Sequence, residues 1–155
     1  MFVLTEDCEI LNLAQCIKIV VIGHEINAYA PMNGSPRSTN LVACFDTEVE
    51  AGYAYFELFK SLKAGKRTWD PYAIKPLSAL WDKIDKHFDN SDVPRELTGR
   101  AQISAFRVDK VTITYDSEVN RHLGKKAIAE SQKKVSKKLR ELLGDSSIEV
   151  KWIFE

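Results

Sequence analysis

The sequence predicts an α+β protein: an N-terminal antiparallel β-meander closed by a helix, then a linker helix and a C-terminal strand–helix–strand unit. Three observations carry that expectation. Short β-branched or alternating segments crowd the first 45 residues, long stretches at helical period follow, and IEVKWIF closes the chain as a strand after a helix. The expected division is residues 1–65 and 66–155, or one compact domain holding both.

Met1 to Leu4 and Glu9 to Leu13 read as short strands around the polar turn TEDC. Cys16 to Gly23 is rich in β-branched residues and reads as a third strand. Glu25 to Ala30 alternates apolar and polar residues, as a half-exposed strand does. PMNGSPRSTN is dense in Pro, Gly, Asn and Ser and reads as a loop before the strand Leu41 to Phe45. Thr47-Glu48-Val49-Glu50 then matches a capping box, which starts a helix that runs to about Lys63 and stops near Gly65. Val49, Tyr53, Phe56 and Phe59 share one face of it. Ala51, Tyr55, Leu58 and Leu62 widen the apolar surface to about 220°, against about 100° for a helix with one buried face. Such a helix is covered on two sides. The second cover is the helix Ile74 to Phe88, or a second copy meeting a seam of Tyr53, Tyr55, Phe56 and Phe59.

KRTWDPY connects the halves, and Pro71 forbids a continuous helix there. Trp69, Asp70 and Tyr72 in this segment either line a groove or, the simpler reading, pin the linker to the core. Ile74, Leu77, Leu80, Trp81, Ile84 and Phe88 recur at helical spacing. DNSDVPRELTGR reads as a polar loop, and Ile103 to Tyr115 as strand in one or two pieces with Val111, Ile113 and Tyr115 on one side. A helix capped near Asp116 or Ser117 follows, with Gly124 obscuring its first turns and Gly144 ending it.

Bulk properties exclude several classes. A chain of 155 residues with 45% hydrophobic and 28% charged residues builds a core without a metal or disulfide staple. Its 22 basic and 22 acidic residues leave no global field to attract nucleic acid or a membrane surface. The longest apolar run, IVVI from Ile19 to Ile22, is far short of a membrane span, and the acidic start lacks the basic region of a signal peptide. Three cysteines without a C-x-x-C pair point to a reducing cytoplasm rather than a disulfide framework.

The zero total conceals an asymmetry. Glu118 to Asp145 holds eight basic and four acidic residues, a net of +4. The first 65 residues hold four basic and eight acidic, a net of −4. In KKAIAESQKKVSKKLRELL, Ile128, Val135, Leu139, Leu142 and Leu143 form one stripe, and Lys126, Lys133, Lys137 and Arg140 lie opposite, with Lys134 and Lys138 flanking them. The plainest reading of the basic face is a solvated helix side. The functional readings are an acidic protein partner, including the acidic N-terminal region of a second copy, or nucleic-acid phosphates. No aromatic residue sits among the lysines to stack on bases, and one arginine is few for phosphate recognition.

No catalytic motif stands out. Glu149-Val150-Lys151 with Asp116 has the residue types of a metal-dependent nuclease, but a long helix intervenes and E-x-K occurs on many exposed strands. His24, His87 and His122 are far apart in sequence. Cys8, Cys16 and His24, spaced at eight, match no zinc pattern, and the Asn33-Gly34-Ser35-Pro36-Arg37 loop lacks a phosphate-cradling signature. Cys16 and Cys44 read as small core residues, and Cys8 as the exposed thiol. No metal ligand and no cofactor is expected.

LTEDCEILNL together with LVACFDTEVEAGYAYFELFKSL resembles a small bacterial domain of unknown function. In it a hairpin leads to a Leu-x-Asn-Leu-like strand, and a later strand ends in Asp-Ser/Thr-acidic-acidic before an alanine-containing helix. Asn12, Leu13, Phe45, Asp46, Thr47, Glu48 and Glu50 carry the likeness, which spans Met1 to about Lys63; Cys8 stands where a glycine is usual. The resemblance implies no activity. The functional expectation is therefore a small non-enzymatic accessory or protein-interaction protein, with nucleic-acid association second and a metal-dependent hydrolase third.

Overall fold

The computed structural model describes residues 1–5, 10–16, 18–32 and 35–155, without the side chains of residues 31–39. It is a mixed α+β structure in which the chain divides into two compact units, Met1–Lys75 and Pro76–Glu155.

In the first unit, β1 (Phe2–Leu4) pairs antiparallel with β2 (Ile10–Asn12), with Leu4 opposite Ile10. A 3₁₀ turn (Leu13–Gln15), capped by the Asn12 side chain, then redirects the chain. That turn splits the five expected strands between two sheets. β3 (Lys18–Ile22), β4 (Glu25–Met32) and β5 (Ser35–Cys44) form their own antiparallel meander, in that order. The stretch PMNGSPRSTN, expected as a loop, is largely strand: β4 runs through Met32 and β5 begins at Ser35, while Asn33 and Gly34 lie outside the described residues. Backbone pairing overrides the turn-rich composition here. Pro31 falls at a register shift between Ala30 and Met32, and Pro36 is on the edge strand β5, the places where a residue without an N–H is tolerated in a sheet.

α1 (Glu48–Lys63) lies against β3 and β4. Its start follows the expected cap: Thr47 Oγ1 accepts from the Glu50 N–H at 3.2 Å, and the hydroxyl donates to the Glu50 carboxylate at 3.3 Å. Its end is a Schellman turn, with Gly65 at φ +68° and the Lys66 N–H donating to the Ser61 carbonyl at 3.0 Å. The core of this unit gathers Val3, Leu13, Ile26, Ala28, Val42, Ala54, Leu58 and Trp69. Trp69 arrives through a pairing the sequence did not announce. β6 (Thr68–Trp69) lies parallel to β1, with Trp69 opposite Val3, so the segment after Gly65 clusters with the first unit. A second 3₁₀ turn (Pro71–Ala73) is capped by Asp70, and Ile74 packs against the same core.

In the second unit α2 (Leu77–Phe88) starts after Pro76, three residues later than expected, because Pro76 disfavours helix in the residue before it and is itself extended at ψ 152° as the N-cap. Leu80, Ile84 and Phe88 are its buried face. The expected polar loop contains a one-turn helix, α3 (Arg95–Thr98), and two fully buried side chains, Val93 and Leu97. α2 lies against α3 and against α5 (Lys125–Leu143). The strand region resolves into two pieces, β7 (Ala101–Phe106) and β8 (Lys110–Tyr115), paired antiparallel, with Val111, Ile113 and Tyr115 all buried. The short α4 (Val119–His122) precedes α5, and β9 (Glu149–Phe154) returns parallel to β8, so the sheet order is β7-β8-β9. A parallel neighbour needs such a crossover, which α5 supplies.

Candidate functional site

The amphipathic helix α5 carries the strongest charge pattern in the chain, and its apolar stripe sits as expected. Ile128, Val135, Leu139 and Leu143 are buried, Leu142 at the edge of the stripe is half-buried, and Gly144 at φ +68° closes the helix in a Schellman turn. The four basic residues expected opposite do not behave alike. Lys126, Lys133 and Lys137 are exposed and make no ion pair among the described residues. Arg140 is half-buried and structural: its Nε donates to the Ile148 carbonyl at 2.8 Å, tying the helix to the start of β9. Lys134 pairs with Asp92, whose carboxyl is held below the usual carboxylate range by that hydrogen bond and charge. Lys138 reaches Glu141 at 3.7 Å. Glu130, one turn from both Lys126 and Lys133, adds a carboxylate to the strip.

The four residues expected at a homodimer seam are also unequal. Phe56 is 1% exposed. Tyr55 is half-buried, and its hydroxyl donates to the Ile19 carbonyl of β3 at 3.0 Å; burial raises its pKa. Tyr53 and Phe59 are half-buried, and the Lys63 ammonium lies 4.5 Å from the Phe59 ring centroid.

An open pocket of about 390 Å³ lies at the carboxyl ends of β8 and β9, beside Gly99, Arg100 and the first two residues of β7, Ala101 and Gln102. Ligands of parallel sheets commonly sit at such strand ends. On one wall the Arg100 guanidinium reaches Asp116 at 3.2 Å and Glu118 at 2.9 Å. The Glu118 N–H, donating to Asp116 Oδ1 at 2.8 Å, and Arg100 together lower the Asp116 pKa. Thr114, also on the lining, buries its hydroxyl without a hydrogen-bond partner among the described residues. An orphaned buried hydroxyl carries a desolvation cost of about 1–3 kcal/mol. Thr114→Val should therefore leave the urea midpoint unchanged or raise it by the equivalent of about 1 kcal/mol. A lowered midpoint would show that the hydroxyl is in fact satisfied.

Other expected chemistry is kept apart. β9 aligns Glu149 with Lys110, to which it is ion-paired at 3.0 Å. Asp116 follows Lys110 by six residues, about 20 Å at strand rise, so E-x-K and Asp116 do not form one metal site. Trp69 is buried while Tyr72 is exposed, so the tryptophan pins its segment instead of lining a groove. Cys16 is half-buried, and desolvation raises its thiol pKa; Cys8 lies outside the described residues.

One constellation was not foreseen. His24, Glu25 and Cys44 bring a ring nitrogen, a carboxylate oxygen and a thiol sulfur all within 4.8 Å of one another. The two halves of the set are 19 residues apart in sequence. Only the β4–β5 register, which sets Glu25 opposite Cys44, reveals the cluster.

Comparison with protein-family models, curated proteins and solved structures finds no match to this chain. No helix among the described residues is long and apolar enough to cross a membrane.

Proposed function

We propose that this chain is a small non-enzymatic protein-interaction protein whose partner presents an acidic surface. The supporting observation is the strip Lys126–Lys133–Lys137, three exposed cations with no ion pair among the described residues, on a helix whose remaining cations beyond its first residue are engaged. The strip spans about 17 Å of helix. Carboxylates of a protein surface can space themselves to such a strip and avoid Glu130. A phosphate backbone would run against that carboxylate, and no aromatic side chain offers it stacking. The first 65 residues, net −4, make a second copy one acidic surface of this kind. In this reading the protein works in the cytoplasm, where the thiols of Cys16 and Cys44 stay reduced.

The test uses fluorescence anisotropy with a labelled oligoglutamate peptide and a labelled mixed-sequence DNA duplex at low salt. Peptide binding that weakens by at least about tenfold in the Lys126→Glu/Lys133→Glu/Lys137→Glu variant is expected. Binding of the duplex alone, with a steep salt slope, would replace the proposal with nucleic-acid association. Binding of neither would return the strip to solvent. Light scattering of the wild type, read against the triple variant, separates self-association from an outside partner.

A further inference from the structure

We infer that His24, Glu25 and Cys44 form a zinc-type divalent metal site with one open coordination position. The backbone assembles it. Glu25 and Cys44 are directly paired across β4 and β5, and His24 is the second residue of the two-residue turn that joins β3 to β4. Gly23 takes φ +59° in that turn, a conformation glycine adopts at no steric cost. The Phe45 N–H donates to the His24 carbonyl at 2.9 Å, so the turn is tied to the end of the strand that carries Cys44. All three ligands thus sit on one clamped corner of a single sheet.

The donor set specifies the metal class. Thiolate sulfur, imidazole nitrogen and carboxylate oxygen together suit a borderline ion such as zinc, whereas magnesium and calcium require oxygen ligands. Metal–ligand bonds of about 2.0–2.3 Å hold tetrahedral ligand atoms roughly 3.4–3.7 Å apart. The three donor atoms, within 4.8 Å of one another, need to close by about 1 Å, which side-chain torsions provide. Glu25 already has an outer partner: Asn27 Nδ2 donates to its Oε2 at 3.4 Å, and such contacts orient a ligating carboxylate. Neither His24 nor Glu25 is committed to an ion pair among the described residues. His24 is exposed, which gives a metal a path in. Three protein ligands leave the fourth position to water or to an incoming donor.

Cobalt(II) titration of the reduced 155-residue chain tests this. The expected result is a thiolate-to-cobalt charge-transfer band with intense four-coordinate visible absorption, saturating at one equivalent and displaced by zinc. Added thiocyanate should shift the visible bands by entering the open position. Cys44→Ser should abolish the charge-transfer band. His24→Ala, in an exposed turn and so compatible with folding, should weaken binding by more than the roughly 10–100-fold that loss of an outer partner costs. A Cys8→Ser/Cys16→Ser variant should retain the wild-type spectrum. A pale six-coordinate spectrum without charge transfer would overturn the site, as would a band that survives Cys44→Ser, an unchanged affinity in His24→Ala, or a spectrum that depends on Cys8 or Cys16. Insensitivity to thiocyanate would overturn the open position.

Discussion

Replacing Trp69 with alanine should destabilise the first unit by about 3–5 kcal/mol, the usual cost of deleting a buried aromatic side chain. Trp69 is 8% exposed and joins the cluster built from Val3, Leu13, Ile26, Ala28, Val42, Ala54 and Leu58. Its strand is only two residues long, so few backbone hydrogen bonds hold it. The Phe2 N–H to Arg67 carbonyl bond at 2.7 Å is one of them. The indole is therefore the main anchor of β6 against β1. Tyr72, three residues on and 61% exposed, is the internal control, and Tyr72→Ala should change stability by no more than about 0.5 kcal/mol. Trp81 and Trp152 both belong to the second unit and would dominate emission in the variant. Backbone hydrogen exchange of β1 to β5, followed against urea, is the appropriate measurement. Equal effects at Trp69 and Tyr72 would mean that the segment after Gly65 is not held by the core.

Leu139→Ala should cost the second unit about 2–5 kcal/mol, the range for removing a buried leucine with partial collapse of the cavity. Leu139 is 0% exposed at the middle of a stripe with Val135 and Leu143, on the helix that makes the β8-to-β9 crossover. The stripe is reinforced on either side by polar ties to β9. The Trp152 indole N–H donates to Ser136 Oγ at 2.9 Å, and Arg140 bonds the Ile148 carbonyl. Lys137→Ala, two residues away on the opposite face, should shift stability by less than about 0.5 kcal/mol. In a Trp69→Phe background the remaining tryptophans, both in the second unit, give the unfolding signal. A Leu139→Ala cost no larger than that of Lys137→Ala would place the stripe outside the core and undo the assignment of the basic face to the surface.

The features legible in the sequence are those whose causes lie within a few residues of one another. Thr47 and Glu50 meet across one turn, Gly65 and Gly144 supply the positive φ that a Schellman end requires, and the stripe Ile128–Leu143 follows from helical period alone. The opposition of Lys126, Lys133 and Lys137 to that stripe follows from the same geometry. What distinguishes those lysines from Arg140 does not, because the Ile148 carbonyl reaches Arg140 only after the chain has turned at Gly144. Composition misled where pairing was decisive. Ser35 to Asn40 looks like turn material yet is strand, because β4 offers it a ladder. Val93 and Leu97 looked stranded in a polar loop yet are buried, because the fold brings α2 over α3.

The sequence by itself determined the α+β class, the three long helices, the Thr47 cap of α1, the glycine ends of α1 and α5 and the side of α5 that faces inward, since each depends on local hydrogen bonds and on the period of apolar residues. Tertiary structure alone decided that Trp69 lies beside Val3, that Thr114 buries a hydroxyl with no partner among the described residues, and that His24 and Glu25 meet Cys44. Those outcomes depend on which strands pair and in which register, and a one-residue slip would turn each side chain to the other face of its sheet.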